Sequence, residues 1–364
     1  ASRARELAIG QRIQQELLVE RVAEPHPQAW LAAFSQASRG IDGDFLDVVR
    51  LGEDQIDLVA GDVMGKGIPA ALLGAATKLE ISRSVTELLA RRAEGGELPP
   101  PHAIVATLSR RITPHLQALE AFVTLVYLRL DLRRGTLTWV GCGHEEALVI
   151  RAAGGLQHLQ NQHPPVGVLS MTDFDQGEVP FAPGDALFLC SDGASDALRT
   201  DGQRVGRDRI DATIRRRFLS QGTPAMALHG LRSDLLRGAV ELVDDVTLAL
   251  LVRRDPGQLD SRAELPVDLG SLAPLRRFVQ QGLHGVAVSD VQAGLFLTAV
   301  VEAFTNIVRH ARGLLPGAPV EAVMLRADNM VRCELRYLGE SYLPPDEPPV
   351  TDFAAFPEGG FGLQ

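Results

Sequence analysis

The sequence predicts an α+β fold, a sandwich of sheets and helices rather than a doubly wound parallel sheet, with a smaller α/β unit behind it. Three observations carry this. Strand-like apolar runs come in groups interspersed with helix pairs, not in regular β-α alternation. Turn signals such as Ala153-Gly154-Gly155 and Pro183-Gly184-Asp185 separate those runs. The polar stretch RRDPGQLDSR, ending at Arg262, divides the 364 residues into two parts of domain size, at about 150 residues per domain.

Residues 1–24 read as an amphipathic connector helix, with Leu7, Ile13, Leu17 and Leu18 near helical spacing and Pro25 and Pro27 ending it. The start at Ala1 without a methionine leads us to expect a preceding sensor or receiver segment. Alternation predicts strands over Trp30 to Ser35, Phe45 to Val49, Ile56 to Ala60 and Val123 to Leu130, with a helix from Pro69 to about Ala93. The stretch EGGELPPP, ending at Pro101, breaks the chain. LTWVGCG, ALVIR, ALFLCS and VTLALLV follow as strands, with helices at Arg207 to Leu219 and Pro224 to Ala239. The first domain is thus expected over 25–254 and a linker over 255–262. In 263–364 the pattern gives helices Leu272 to Gly282 and Val288 to Ala311, strands Val320 to Arg326 and Val331 to Tyr337, then a Pro- and Gly-rich tail.

Composition narrows the function. At 45% hydrophobic the chain can build cores, which excludes a disordered protein. A net charge of −10 argues against nucleic-acid binding, and Arg215-Arg216-Arg217 reads as a solvated helix face. Three widely spaced cysteines, Cys142, Cys190 and Cys333, fit reduced thiols. No apolar run reaches the roughly 18 to 20 residues of a bilayer span, and ASRARELAIG lacks a signal-peptide pattern, so a soluble cytoplasmic protein with no membrane partner is expected.

Four aspartate sites stand beside strand-like runs: Asp44 in IDGDFLDV, Asp62 in LVAGDVMGKG, Asp192 in LFLCSDGASD, and Asp244 with Asp245 in LVDDVTLALL. Singly, such residues are most often turn formers or helix caps. Gathered at one rim they repel unless a cation intervenes, and oxygen ligands without nearby His or Cys select magnesium or manganese. Other phosphate chemistries fit less well. A thiol phosphatase wants Arg six positions after its Cys, where this chain has Leu148, Asp196 and Gly339. The loop Gly65-Lys66-Gly67 lacks the first glycine and the Ser or Thr of a P-loop. His144, in a Gly-His turn, is open to a structural or a general-acid role.

The ordered motifs GDF (Gly43 to Phe45), GDVMGKGIPAALL (Gly61 to Leu73), Gly143-His144, PPVGVL (Pro164 to Leu169), PGDALFLCSDGASDAL (Pro183 to Leu198) and DDVTLALL (Asp244 to Leu251) resemble the metal-dependent protein phosphatase (PPM) family, in its bacterial SpoIIE/RsbU branch, over residues 5–254. The resemblance implies an α-β-β-α sandwich and a centre of two Mn²⁺ or Mg²⁺ ions that hydrolyses phosphoserine or phosphothreonine. It implies that Asp62 bridges both ions, that the Val63 carbonyl contributes, that Asp192 and Asp244 complete one ion, and that Asp44 holds the other; Asp245 and Asp47 are adjacent carboxylates. The implied substrate is a phosphorylated regulatory protein such as an anti-sigma-factor antagonist of STAS type. An anti-sigma or sigma factor is a further implied partner, and homodimerisation is expected through the connector. Two departures are visible: Asp42 and Leu46 replace a Gly and a Tyr of the usual Gly-Gly-Asp-Phe-Tyr-Asp, and Glu145 stands where Pro is common.

In LFLTAVVEAFTNIVRHARG, Glu302, Asn306 and His310 recur every four residues among Val300, Val301, Phe304, Ile307 and Val308. That spacing leads us to expect Glu302 and Asn306 to be partly buried, which favours a functional cause; an ordinary amphipathic helix is the other reading. EAFTNIVRHA, with LPVDLGSLAPLRRFV before it and GGFGL (Gly359 to Leu363) after it, resembles the GHKL ATPase family, near its anti-sigma-factor serine kinases. This implies a two-layer α/β sandwich, Asn306 as an ATP-magnesium ligand, Glu302 as base, and the final glycines as a lid. Tyr337-Leu338-Gly339 replaces the adenine-reading Asp-x-Gly, and the chain ends at Gln364 where a last helix and strand are due, so an incomplete domain is expected. A serine kinase opposing the phosphatase, giving a bifunctional enzyme, and a partner-binding module are both carried forward.

Overall fold

The computed structural model describes residues 28–36, 43–92, 96–199, 202–218, 224–235, 239–241, 244–254, 261–286, 288–314, 317–327 and 330–339. The connector helix, Asp42, most of the linker and the Gly359 to Leu363 lid lie outside them. The chain divides into two compact units, one of Ala1–Ser220 with Leu231–Pro256, the other of Gln221–Gly230 with Gly257–Gln364.

In chain order the elements up to Arg253 are β1 (Ala29–Gln36), β2 (Phe45–Arg50), β3 (Gln55–Val63), α1 (Ile68–Ala90), α2 (Pro101–Ala118), β4 (Val123–Asp131), β5 (Thr136–Cys142), β6 (Ala147–Ile150), β7 (Leu156–Leu159), β8 (Gly177–Pro180), β9 (Ala186–Cys190), α3 (Asp192–Asp196), β10 (Leu198–Arg199), α4 (Arg207–Phe218), α5 (Pro224–Leu235), β11 (Ala239–Glu241) and β12 (Val246–Arg253). They make two five-stranded antiparallel sheets, ordered β1-β12-β9-β6-β7 and β2-β3-β4-β5-β8, and a β10-β11 pair.

The period-2 alternation of the sequence decides the layering. Leu46, Ile56, Leu58, Ala60, Val126 and Leu128 point from the second sheet into a core shared with Ala147, Val149, Leu187, Leu189, Ala249 and Leu251 of the first. The intervening Phe45, Val59, Val63, Leu125 and Tyr127 point the other way, onto Ile81, Val85, Ile104, Leu108 and Leu116 of α1 and α2. That helical layer also covers a buried ion pair. Asp57 accepts from Arg129 Nε and Nη2 at 2.7 Å each and from the Tyr127 hydroxyl.

The α+β sandwich is as expected, and the differences have local causes. Helix α2 is missing from the sequence expectation because its proline run reads as a breaker. Pro101 instead occupies the first helical turn, where a missing N–H costs nothing. α5 ends at Leu235, short of Ala239, which pairs as β11 with β10. β7, β8, β10 and β11 are two to four residues long, too short for a periodic signal.

The second unit has β13 (Ser261–Leu265), β14 (Val320–Ala327) and β15 (Met330–Arg336) in an antiparallel sheet, with α6 (Leu272–Leu283) and α7 (Asp290–His310). Strand β13 starts at Ser261, so the last two residues of the expected linker belong to the sheet. Leu265, Leu275, Val279, Val300, Phe304, Val320 and Ala322 form one core. A capping box between Ser289 and Gln292 starts α7. By length and composition α7 is apolar enough to cross a membrane, a property the expectation from apolar runs did not register. Val300 and Phe304 of this helix lie in the unit's core.

Candidate metal centre

The second sheet delivers two of the predicted carboxylates. Asp62 is the penultimate residue of β3, opposite Thr124 of β4, whose hydroxyl donates to the Asp62 carbonyl at 3.3 Å. Next to it, a Cβ on Gly61 would lie 2.5 Å from Phe45 Cζ and 2.6 Å from the Thr124 carbonyl, so only glycine allows this approach. Asp44 is buried just ahead of β2. The preceding Gly43 runs so close that a Cβ there would stand 3.0 Å from both Asp62 Oδ1 and the Val63 carbonyl. After Val63 the chain turns through Gly65 (φ 104°) and Gly67 (φ 76°) into α1, with Pro69 in its first turn.

The first sheet brings the others. β9 ends at Cys190, and Ser191-Asp192 opens α3. Ser191 donates its N–H to the Thr247 carbonyl at 2.9 Å and its hydroxyl to the Asp245 carbonyl at 3.0 Å, while Thr247 N–H donates to Ser191 Oγ at 2.9 Å. The run-up to β12, Asp244-Asp245, is thereby fixed beside Asp192. The Asp245 N–H donates to Asp244 Oδ1 at 3.0 Å. A narrow cavity lined by Asp44, Gly61, His144, Ser191 and Thr247 joins the two sheet ends.

The electrostatics reflect this convergence. Loss of water and then the charges of Asp192, Asp244 and Asp245 push the Asp62 carboxyl up to about 7, against a backbone hydrogen bond that lowers it. Asp192, which keeps a solvent-facing edge, is also raised, by desolvation first and then by Asp244, Asp196 and Glu145. Lys66 Nζ stands 2.8 Å from Asp244 Oδ2.

These observations test the fit to divalent cations. The donors are oxygens only, their charges oppose one another, and an ammonium already sits against one of them, so the chemistry suits Mg²⁺ or Mn²⁺. Among the described residues no three His, Cys, Asp or Glu side chains are grouped closely enough to form a ready-made metal site. Asp47 faces elsewhere: its Oδ1 is 3.6 Å from Lys78 Nζ of α1. His144 is buried and held well below its usual range, at about 4, by desolvation. Its Nδ1 lies 3.0 Å from Thr124 Oγ1, and Asn161 Nδ2 donates to its carbonyl at 2.6 Å. A neutral, clamped imidazole favours the structural reading.

Residue-type reasoning missed Ser191, although it directly precedes Asp192 in CSDGASD, and gave Lys66 no partner. It also missed what Glu145 does: Glu145 accepts from Arg207 Nη1 at 2.9 Å and from Ser195 Oγ at 3.1 Å, which ties the edge of the acidic cluster to α4. In the second unit, Glu302 and His310 are exposed and Asn306 is partly buried. The expectation that Glu302 is buried fails because Val300 and Phe304 hold the core side of α7, each two residues and so about 200° away from it.

Comparison with known proteins follows the two units. Residues 52–254 match the family described as Stage II sporulation protein E (SpoIIE), and residues 265–364 match the histidine kinase-like ATPase domain. Protein IcfG of Synechocystis sp. is 26% identical over 278 residues, covering 68% of this chain and 41% of IcfG. Phosphoserine phosphatase RsbU of Bacillus subtilis is 26% identical over 251 residues, covering 68% of this chain and 70% of RsbU. The chain spans less than half the length of IcfG. In fold it is similar to the SiaA-PP2C domain of Pseudomonas aeruginosa, with a TM-score of 0.58 at 21% identity over 70% of this chain and 98% of that one. It is also similar to the RsbU and RsbW domains of Rv1364c from Mycobacterium tuberculosis, with a TM-score of 0.52 at 20% identity over 85% of this chain and 84% of that one.

Proposed function

The chain belongs to the Stage II sporulation protein E (SpoIIE) family, and on that premise we propose that it is a cation-dependent protein serine/threonine phosphatase of bacterial signalling. One observation carries the reading: Asp62 lies partly buried among the carboxylates Asp192, Asp244 and Asp245, which offer only oxygen ligands, and desolvation followed by their charges pushes it up to about 7. Asp62, Asp192, Asp244 and Asp44, with the Val63 carbonyl and the neighbouring Asp245, are the groups we assign to hold two Mn²⁺ or Mg²⁺ ions. When bound, such ions supply an activated water and neutralise phosphoryl charge.

The protein's own groups do the rest. Ser191 and Gly193 hold Asp192 against the Asp244-Asp245 backbone, Gly43 keeps a side chain out of the space beside Asp62, and Gly61 lets Phe45 and β4 approach the strand that carries it. A cysteinyl-phosphate route is disfavoured, since burial pushes the Cys142 and Cys190 thiols up to about 12. His144, which desolvation lowers to about 4 and which contacts Thr124 Oγ1 at 3.0 Å, is assigned a structural role on that side of the site.

The similarity to a protein named phosphoserine phosphatase supports a phosphoserine substrate; the carrier we propose is a regulatory protein such as an anti-sigma-factor antagonist, in a cytoplasmic setting. The test is phosphate release from a phosphorylated antagonist with and without Mn²⁺. Asp62→Asn and Asp192→Ala are expected to lose at least about 100-fold, and undiminished activity in both sinks the assignment.

For the second unit we propose partner binding. The replacement of the adenine-reading Asp-x-Gly by Tyr337-Leu338-Gly339 favours this over an opposing serine kinase. Calorimetric ATP titration decides: binding that is lost in Asn306→Ala supports the kinase reading, and absence of heat supports the binding module.

A further inference from the structure

Lys66 is the cation of the acidic cluster that the phosphatase reading leaves without a task. Its ammonium lies 2.8 Å from Asp244 Oδ2, and each member of the pair is about one-third exposed. The lysine comes from the loop between β3 and α1, flanked by Gly65 and Gly67, both at positive φ and both with nothing within 4 Å of where a Cβ would be. A side chain on so open a glycine loop can leave Asp244 without unfolding anything around it. The carboxylate it holds is one of the three whose charges bear on Asp62.

We propose that Lys66 is a displaceable internal counter-ion, which occupies Asp244 in the cation-free protein and competes with a divalent cation for it. The role is one of positioning and regulation: the lysine stabilises the empty cluster, sets the cation concentration at which the site fills, and swings out when it does. Since an exposed ion pair is weak, the competition is modest, on the order of two- to fivefold in affinity. This inference rests on the carboxylates being cation ligands.

Calorimetric titration of the full chain with MnCl₂, together with thermal melting in chelator and in excess Mn²⁺, tests it without recourse to activity. Lys66→Met is expected to bind Mn²⁺ two- to fivefold more tightly than wild type and to melt lower in chelator but not in Mn²⁺. Lys66→Arg, which keeps the charge, is expected to bind Mn²⁺ as wild type does. Unchanged or weaker binding by Lys66→Met, an equal loss of melting temperature in both conditions, or tighter binding by Lys66→Arg overturns the proposal. Asp244→Asn separates the two layers. If it loses Mn²⁺ while Lys66→Met changes nothing, only the counter-ion role fails; if it binds Mn²⁺ as wild type does, the ligand assignment beneath it fails too.

Discussion

Gly193 packs directly on the Asp245 carbonyl: a Cβ at position 193 would lie 2.0 Å from that oxygen. No side-chain rotation relieves such an overlap, because both partners are backbone. Gly193→Ala must therefore separate the start of α3 from the approach to β12. The expected result is a loss of about 2–4 kcal/mol in urea unfolding, by the mechanism of overpacking. Weakened Mn²⁺ binding should accompany it, since Asp192 and Asp244 move apart.

Two groups give the cation-free protein opposing responses to pH. Asp62 is raised from 3.8 to about 7, so the folded state binds the extra proton and stability from this group is lost as pH rises between those values. His144 is lowered from 6.5 to about 4, so here the unfolded chain binds the proton and stability is lost as pH falls through that window. Each effect is on the order of 3–4 kcal/mol. Melting in chelator between pH 4 and 7 should accordingly vary little in wild type on account of these two groups, whereas Asp62→Asn should show a melting temperature that climbs with pH. A flat Asp62→Asn profile contradicts the assignment.

The buried pair of Asp57 and Arg129 makes a third case. Asp57 is fully buried, and both its oxygens are engaged by Arg129 and Tyr127. Asp57→Ala leaves the guanidinium without its counter-ion and should cost about 3–5 kcal/mol in chemical denaturation. Its effect on Mn²⁺ affinity in the folded protein should be slight, because the pair sits on the helical side of the second sheet.

The legibility of this molecule in its sequence follows physical lines. β2, β3, β4, β9 and β12 were readable because period-2 alternation or an unbroken apolar run is a direct imprint of burial. Helix α2 was hidden by prolines that serve as its first turn, and β7, β8, β10 and β11 by their brevity. Asp62, Asp192 and Asp244 were visible as carboxylates at strand ends, and the structure places them within electrostatic reach of one another. The pairing of Lys66 with Asp244 was not visible, since nothing local relates residues so far apart in the chain. Glu302 was misjudged because spacing along a helix fixes which residues share a face but not which face meets the sheet.

The two sheets meet at the acidic cluster from opposite sides. Asp62 rides on β3 in one, while Asp192 and Asp244 stand at the ends of β9 and β12 in the other. Across the seam between them the packing is mainly apolar, pinned by the Lys66–Asp244 pair at the acidic end and by buried hydrogen bonds from Arg253 of β12 to the Phe181 and Leu132 carbonyls at the other. A sliding of one sheet over the other by a fraction of an ångström would alter the spacing of Asp62 and Asp244 without breaking a backbone hydrogen bond in either. The separation of Asp62 from Asp244 is therefore set by how the two sheets pack on each other, while each carboxylate's own position is set by the hydrogen bonds of its own sheet.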